Sequence, residues 1–169
     1  MLGRYRELFE WERDCNAKML AMIESVPADA RVDPKFQRAV VLADHVALCR
    51  TNWLARMTDP AAQVSNWQND LAKPEELRQI FAHMERLWEE YLVRLTEQEV
   101  ESDFEFIGTD GKTPFRWSIK GQMEQLVGHA CYHRGQIALL VELLGGETED
   151  TDYLFWRYRR DPKYGAITS

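Results

Sequence analysis

The stretch SIKGQMEQLVGHACYHRGQIALLVELLGG, residues 118–146, decides the fold prediction for this chain. Its apolar residues recur at the spacing of about 3.6 that is typical of one face of a helix. Ser118 is a favourable N-cap, and Gly145 and Gly146 stand where a helix commonly ends. The stretch therefore predicts one long helix from Ser118 to about Leu144, with a pair of histidines on it.

Upstream of this helix, three further segments show the same helical spacing. They cover about residues 2–25, about residues 35–58 and about residues 74–95. Pro27 and Pro60 follow the first two, and Pro74 with the two glutamates after it is a good start for the third. Four amphipathic helices of this length predict an all-α fold, an antiparallel four-helix bundle.

Two shorter segments lie outside the four helices. Residues 103–117, DFEFIGTDGKTPFRW, alternate aromatic and polar residues around an Asp-Gly turn, which predicts a small hairpin before the last long helix. We expect this hairpin to be an appendage of the bundle. The aromatic segment TDYLFWRYRRDPKYG, residues 151–165, is expected to dock on it as a short helix or an extended segment.

Composition and charge restrict the class of protein. The 169 residues are 45% hydrophobic and suit a single domain, residues 1–169. The net charge is -7, and the basic residues are scattered, so we expect no nucleic-acid partner. No apolar run approaches the ~20 residues of a membrane helix, and no signal-peptide pattern begins the chain. The three cysteines form no C-x-x-C pair. These features predict a cytoplasmic protein with reduced thiols and no membrane partner.

The histidines are the candidate metal ligands. His129 and His133 are four residues apart, so both imidazoles lie on one helix face, as in helical metal sites. His45 falls on the inward stripe of the second predicted helix, whereas His83 falls on the surface of the third. Three inward histidines from two helices can share a single divalent ion and leave positions open. The alternative is that they are hydrogen-bonded core residues without an ion. Neither Glu-x-x-His pairs nor H-E-x-x-H occur, which excludes di-iron carboxylate and zinc-protease patterns.

Several polar residues share the predicted inward faces. Asn16, Asn52 and Gln136 are candidates to orient a ligand or substrate, and Glu12 accompanies Asn16. Cys49, one turn after His45, is a fourth ligand or, as we favour, an apolar filler.

Other residues are expected to act outside the ligand set. Arg134 is predicted to face away from it and to act structurally, at a helix or dimer contact. Arg38 and Arg56 flank His45 as solvated helix ends or as partners for a substrate carboxylate. Glycines at seven-residue spacing indicate a close helix approach, within the chain or in a dimer, at Gly121, Gly128 and Gly135.

Three stretches together resemble the DinB-like (DinB/YfiT-type) metal-dependent family: GHACYHRGQIALLVELLGG at 128–146, VVLADHVALCRTNWLARM at 40–57 and EWERDCNAKML at 10–20. The resemblance implies an antiparallel four-helix bundle, often a homodimer. It also implies one divalent ion, zinc, nickel or iron, on His45, His129 and His133. Characterised members of the family that this chain resembles include transferases and isomerases that use low-molecular-weight thiols.

The leading hypothesis is a mononuclear metal enzyme, a thiol S-transferase or a hydrolase. In it the ion activates a low-molecular-weight thiol cosubstrate, or water, for transfer to an electrophilic small molecule. The alternative is a noncatalytic dimeric bundle that binds a metal or ligand as a sensor or scaffold.

Overall fold

A computed structural model describes residues 2–62, 64, 66–161 and 163–164. The fold is mostly helical with one small two-stranded sheet. The long helices are α1 (Leu2–Ser25), α2 (Pro34–Thr58), α3 (Leu77–Arg94) and α5 (Ile119–Leu143). The shorter elements are α4 (Glu97–Val100), β1 (Asp103–Ile107), β2 (Pro114–Ser118) and α6 (Tyr153–Arg160).

The helices begin and end where local chemistry satisfies their free backbone groups. The Asp33 carboxylate accepts a hydrogen bond from the Lys35 amide at the start of α2, and the Ser118 hydroxyl accepts one from the Gly121 amide at the start of α5. After α5, Gly145 takes a φ of 76°, which a side chain would disfavour. The observed bounds of all four long helices agree with the predicted ones to within a few residues. The third predicted helix begins with a 3-10 turn at Pro74–Glu76, and α3 follows it.

The four long helices pack around one apolar core. Helix α2 contacts α1, α3 and α5, and α5 also contacts α1. The largest fully buried side chains come from all four of these helices and include Trp88, Phe81, Met19, Val40 and Ile137. Helix α2 thus lies against the other three, and the α2–α5 contact carries the candidate site.

The β1–β2 hairpin is integrated with the bundle, which corrects the expectation of an appendage. Its turn carries the predicted positive φ at Gly111, 70°. Phe104 is buried, and the ring centroid of Phe106 lies 5.0 Å from that of Trp53 on α2. The aromatic face of the hairpin therefore covers the end of α2.

The C-terminal aromatic segment forms α6 and docks on α1. Trp156 is buried beside Trp11 and Cys15, and the Trp11 indole donates a hydrogen bond to the Thr151 carbonyl.

The short helix α4 was not predicted from the sequence. Its N-terminus is stabilised by a capping box at Thr96. Within the described residues, no helix is both long and apolar enough to cross a membrane.

Candidate metal centre

Three imidazoles meet at the α2–α5 contact. The ring centroid of His45 lies 5.0 Å from that of His129 and 4.9 Å from that of His133, and the two α5 rings are 4.5 Å apart. All three side chains are half-buried, so one side of the cluster remains open to solvent. His83 is exposed on α3, as predicted.

Two of the imidazoles are oriented through Nδ1. His45 Nδ1 lies 2.6 Å from the Trp67 carbonyl oxygen, and His133 Nδ1 lies 2.8 Å from Oε1 of Gln136. A carbonyl oxygen only accepts, so each Nδ1 carries the proton and each Nε2 keeps its lone pair. This is the usual way in which a hydrogen bond beyond the ligand fixes a metal-binding histidine.

The spacing of the His45 and His129 ring nitrogens fits a shared ion. His45 Nε2 and His129 Nε2 are 3.1 Å apart. Two nitrogens at about 2.0–2.1 Å from a tetrahedral ion lie about 3.3 Å from each other. The donors of His45, Cys49 and His129 all lie within 4.8 Å of one another. The donor set therefore fits a metal-binding protein.

Cys49 lies in the same cluster, but its sulfur is not in line with the free nitrogen of His45. Its Sγ is 3.5 Å from Nδ1 and 3.5 Å from Nε2 of His45. An atom equidistant from both nitrogens lies against the ring, whereas the Nε2 lone pair points away from Nδ1. Burial also raises the pKa of the Cys49 thiol to about 12. This geometry favours the filler interpretation.

The environment keeps the α5 imidazoles neutral. Burial lowers the pKa of His129 to about 4, and the nearby His133 and His45 rings add to this effect. Burial also lowers the pKa of His133, partly opposed by its hydrogen bond with Gln136. Neutral imidazole is the form that binds a metal ion.

A cavity of about 380 Å³ opens beside the histidines. It lies between the end of α2, the segment around Trp67 and the hairpin. Its walls are mainly aromatic and include Cys49, Trp53, Arg56, Trp67, Phe106 and His129. A small molecule in this cavity would lie directly against the cluster.

The structure brings only some of the other predicted residues to this site. Gln136 contacts His133, and Asn52 donates a hydrogen bond to the Asn66 carbonyl, next to the Trp67 segment. The Asn16 amide instead donates to Glu85 of α3, 3.0 Å away, so Asn16 does not contact the histidines. The Trp67 carbonyl was missed, because a backbone oxygen in a loop leaves no signal in the sequence.

Glu12 and Arg134 belong to a separate buried cluster. Arg134 is 2% exposed, and its Nη1 lies 3.8 Å from Glu12, whose carboxylate also pairs with Arg50. The prediction that Arg134 makes a helix contact is therefore confirmed, although it was not expected in the interior. Glu12 acts there as a counter-ion and does not contact the histidines.

Packed helices with a group of possible metal donors, His45, Cys49 and His129, at the α2–α5 contact fit a metal-binding protein. The DinB family profile matches residues 1–163, nearly the whole chain, so this protein belongs to the DinB family. Comparison with curated proteins and with solved structures finds no significant match.

Proposed function

We propose that this DinB-family protein is a mononuclear metal enzyme with His45, His129 and His133 as its ligands. The observation that carries the proposal is the convergence of three half-buried imidazoles from α2 and α5, with centroids 4.5 to 5.0 Å apart. An ion on three protein ligands keeps positions open for a small molecule, as catalytic sites do.

The proposed reaction is transfer of a low-molecular-weight thiol, or of water, to an electrophilic small molecule. A divalent ion, zinc, nickel or iron, would lower the pKa of the thiol or water that it holds. The chain supplies the rest: Trp67 and Gln136 hold the Nδ1 protons of His45 and His133. The aromatic walls of the cavity would contact the apolar part of the second substrate.

Elemental analysis of protein purified without a histidine tag or added metal tests the ligand set. We expect about one divalent ion per chain in the parent and little in the alanine variants of His45, His129 and His133. His83→Ala is the matched control because His83 is exposed on another helix. Cys49→Ala should also keep its ion. A full complement of metal in His133→Ala would refute the assignment of that ligand.

A turnover assay then separates catalysis from the alternative function. The metal-loaded parent is assayed with a panel of thiols and electrophiles, and His129→Ala is the inactive control. Turnover that requires the ion supports the enzyme. Bound metal without any turnover would favour a noncatalytic sensor or scaffold. A parent that binds no metal, and whose stability a chelator leaves unchanged, would favour purely structural histidines.

We further propose a single domain built as an antiparallel four-helix bundle, which pairs with a second copy through α5. One stripe of α5 is exposed and combines glycines with large apolar side chains: Gly128, Tyr132, Gly135, Leu139 and Leu143. A Cβ at Gly128 or Gly135 would meet nothing within 4 Å, so no described part of the chain covers them. Sedimentation of the parent and of Leu139→Glu tests this: we expect a dimer and a monomer, respectively. A monomeric parent would contradict the proposal.

A further inference from the structure

Arg56, in the last turn of α2, is a buried cation that has no carboxylate partner within the described residues. It is 4% exposed, and its Nη2 donates a hydrogen bond to the Ile107 carbonyl, 2.9 Å away. Its Nε is buried and has no hydrogen-bond partner. Among the described residues, no Asp or Glu forms an ion pair with it, and burial alone shifts its pKa. Burial accordingly lowers the pKa of Arg56.

The groups around Arg56 are aromatic rings. Its guanidinium carbon lies 5.2 Å from the ring centroid of Trp53, 4.8 Å from that of Trp67 and 4.9 Å from that of Phe106. Cation–π contacts stabilise a guanidinium, but they satisfy none of its N–H donors. Packing alone therefore leaves an incompletely paired buried charge, which is costly.

The same residue lines the cavity beside the histidine cluster. Arg56 and His129 are both part of the wall of this 380 Å³ space. That volume is within the range typical of small-molecule sites. None of the described lining residues is acidic, so the cavity favours an anion. A ligand held by Arg56 would extend across the aromatic walls toward the candidate metal centre.

We infer that this cavity binds a small carboxylate with a planar or apolar body, and that Arg56 selects its carboxylate. A carboxylate supplies the acceptor oxygens that the guanidinium lacks, and charge-assisted hydrogen bonds of this kind are the stronger ones. The body of the ligand stacks against Trp53, Trp67 and Phe106. The inference rests on the proposed function for any chemistry at the ion and deepens it by giving the class of the substrate.

Benzoate and benzamide are suitable probes because they share a shape and differ in charge. Binding is measured by titration calorimetry on full-length protein stripped of metal, so that coordination of benzoate to an ion cannot contribute. We expect benzoate to bind the parent about 10-fold or more tightly than benzamide. This ratio of affinities corresponds to the free energy that a hydrogen bond to a charged group contributes. Equal binding of the two probes, or no measurable binding of benzoate, would overturn the inference.

Two substitutions on α2 form a matched pair. Arg56→Gln should abolish the preference for benzoate, whereas Lys35→Gln removes one positive charge at an exposed position of the same helix, outside the cavity, and should keep it. Circular dichroism checks that Arg56→Gln is folded. If it is not folded, Arg56→Lys keeps the charge without the fork of donors and should show a reduced preference. A preference unchanged in a folded Arg56 variant would overturn the inference.

The metal content of the parent is measured separately, which distinguishes the two proposals. A parent that selects benzoate but binds no ion would refute the metal enzyme and leave the carboxylate site standing. A parent that binds an ion but does not distinguish the probes would refute the carboxylate site alone.

Discussion

In His45 and His133, a hydrogen bond on Nδ1 decides which ring nitrogen is free for an ion. Gln136 is placed for this role by helix geometry, because it follows His133 by one turn on α5 and accepts from it at 2.8 Å. The sequence could predict this pair, since both residues lie on one helix. It could not predict the corresponding partner of His45, the Trp67 carbonyl, since no helical register connects them.

Replacing Gln136 should weaken the metal site without removing a ligand. Gln136→Leu retains the size of the side chain but loses the acceptor, so we expect metal affinity to fall by about 10- to 100-fold. Gln136→Glu keeps an acceptor for the His133 Nδ1 proton and should retain most of the affinity. Competition with a chromophoric chelator measures both. An affinity in Gln136→Leu equal to that of the parent would contradict the role.

Among the elements, the hairpin shows where local prediction ends. Alternating residues and an Asp-Gly turn predicted the strands correctly, because those signals are contained within a few residues. The surface that the strands cover depends on α2, which ends 45 residues before β1 begins, at Thr58 and Asp103. For this reason the sequence did not predict the contact between Phe106 and Trp53, or that the hairpin forms one wall of the cavity.

Asp110 is expected to give the hairpin turn a distinctive pH dependence. Its carboxylate accepts hydrogen bonds from the Thr113 hydroxyl and amide and from the Lys112 amide, which lower its pKa to about 2. A pKa lowered by folding means that the turn is fully stabilised above about pH 4 and loses this contribution as the pH falls toward 2.

The amide proton shifts of Lys112 and Thr113, followed by NMR, should titrate with a midpoint near 2. The Asp110→Asn variant should lack this transition. A midpoint near the ordinary value of about 4 would show that the turn does not hold the carboxylate.

Across the whole molecule, α1, α2 and α5 are linked by a buried ionic cluster. Glu12 is 2% exposed, Arg50 is 4% exposed and Arg134 is 2% exposed. The Arg50 carbonyl also accepts a hydrogen bond from the Trp88 indole, which connects α3 to the cluster. One carboxylate therefore compensates two buried guanidinium groups, and its loss would leave both unpaired.

Glu12→Gln should destabilise the protein strongly. Removing one partner of a buried ion pair costs about 3–5 kcal/mol in free energy of unfolding. The matched control is Glu10→Gln, because Glu10 lies on the same helix and forms an exposed pair with Arg160 at 3.7 Å. That change should cost less than about 1 kcal/mol. Urea unfolding measures both, and losses of equal size would contradict the importance of the cluster.

A bound ion should stabilise the folded chain as a whole, because its donors come from both α2 and α5. At a zinc concentration of 100 times the Kd, the free energy of unfolding should rise by about 2.7 kcal/mol, and a chelator should reverse the change. Thermal unfolding of the parent and of His45→Ala, with and without zinc, measures it. An equal shift in His45→Ala would place the ion elsewhere.

The sequence by itself determined the four long helices, their approximate ends, the hairpin turn and the inward face shared by His129 and His133. These features depend on spacing, capping groups and glycine, all of which act within about one or two helical turns. Only the tertiary structure decided that His45 meets them, that Trp67 orients His45 and that Arg56 lies in an aromatic cavity with no carboxylate partner among the described residues. Contacts between residues far apart in the chain depend on how whole helices pack, and a pattern read along one helix does not contain that information.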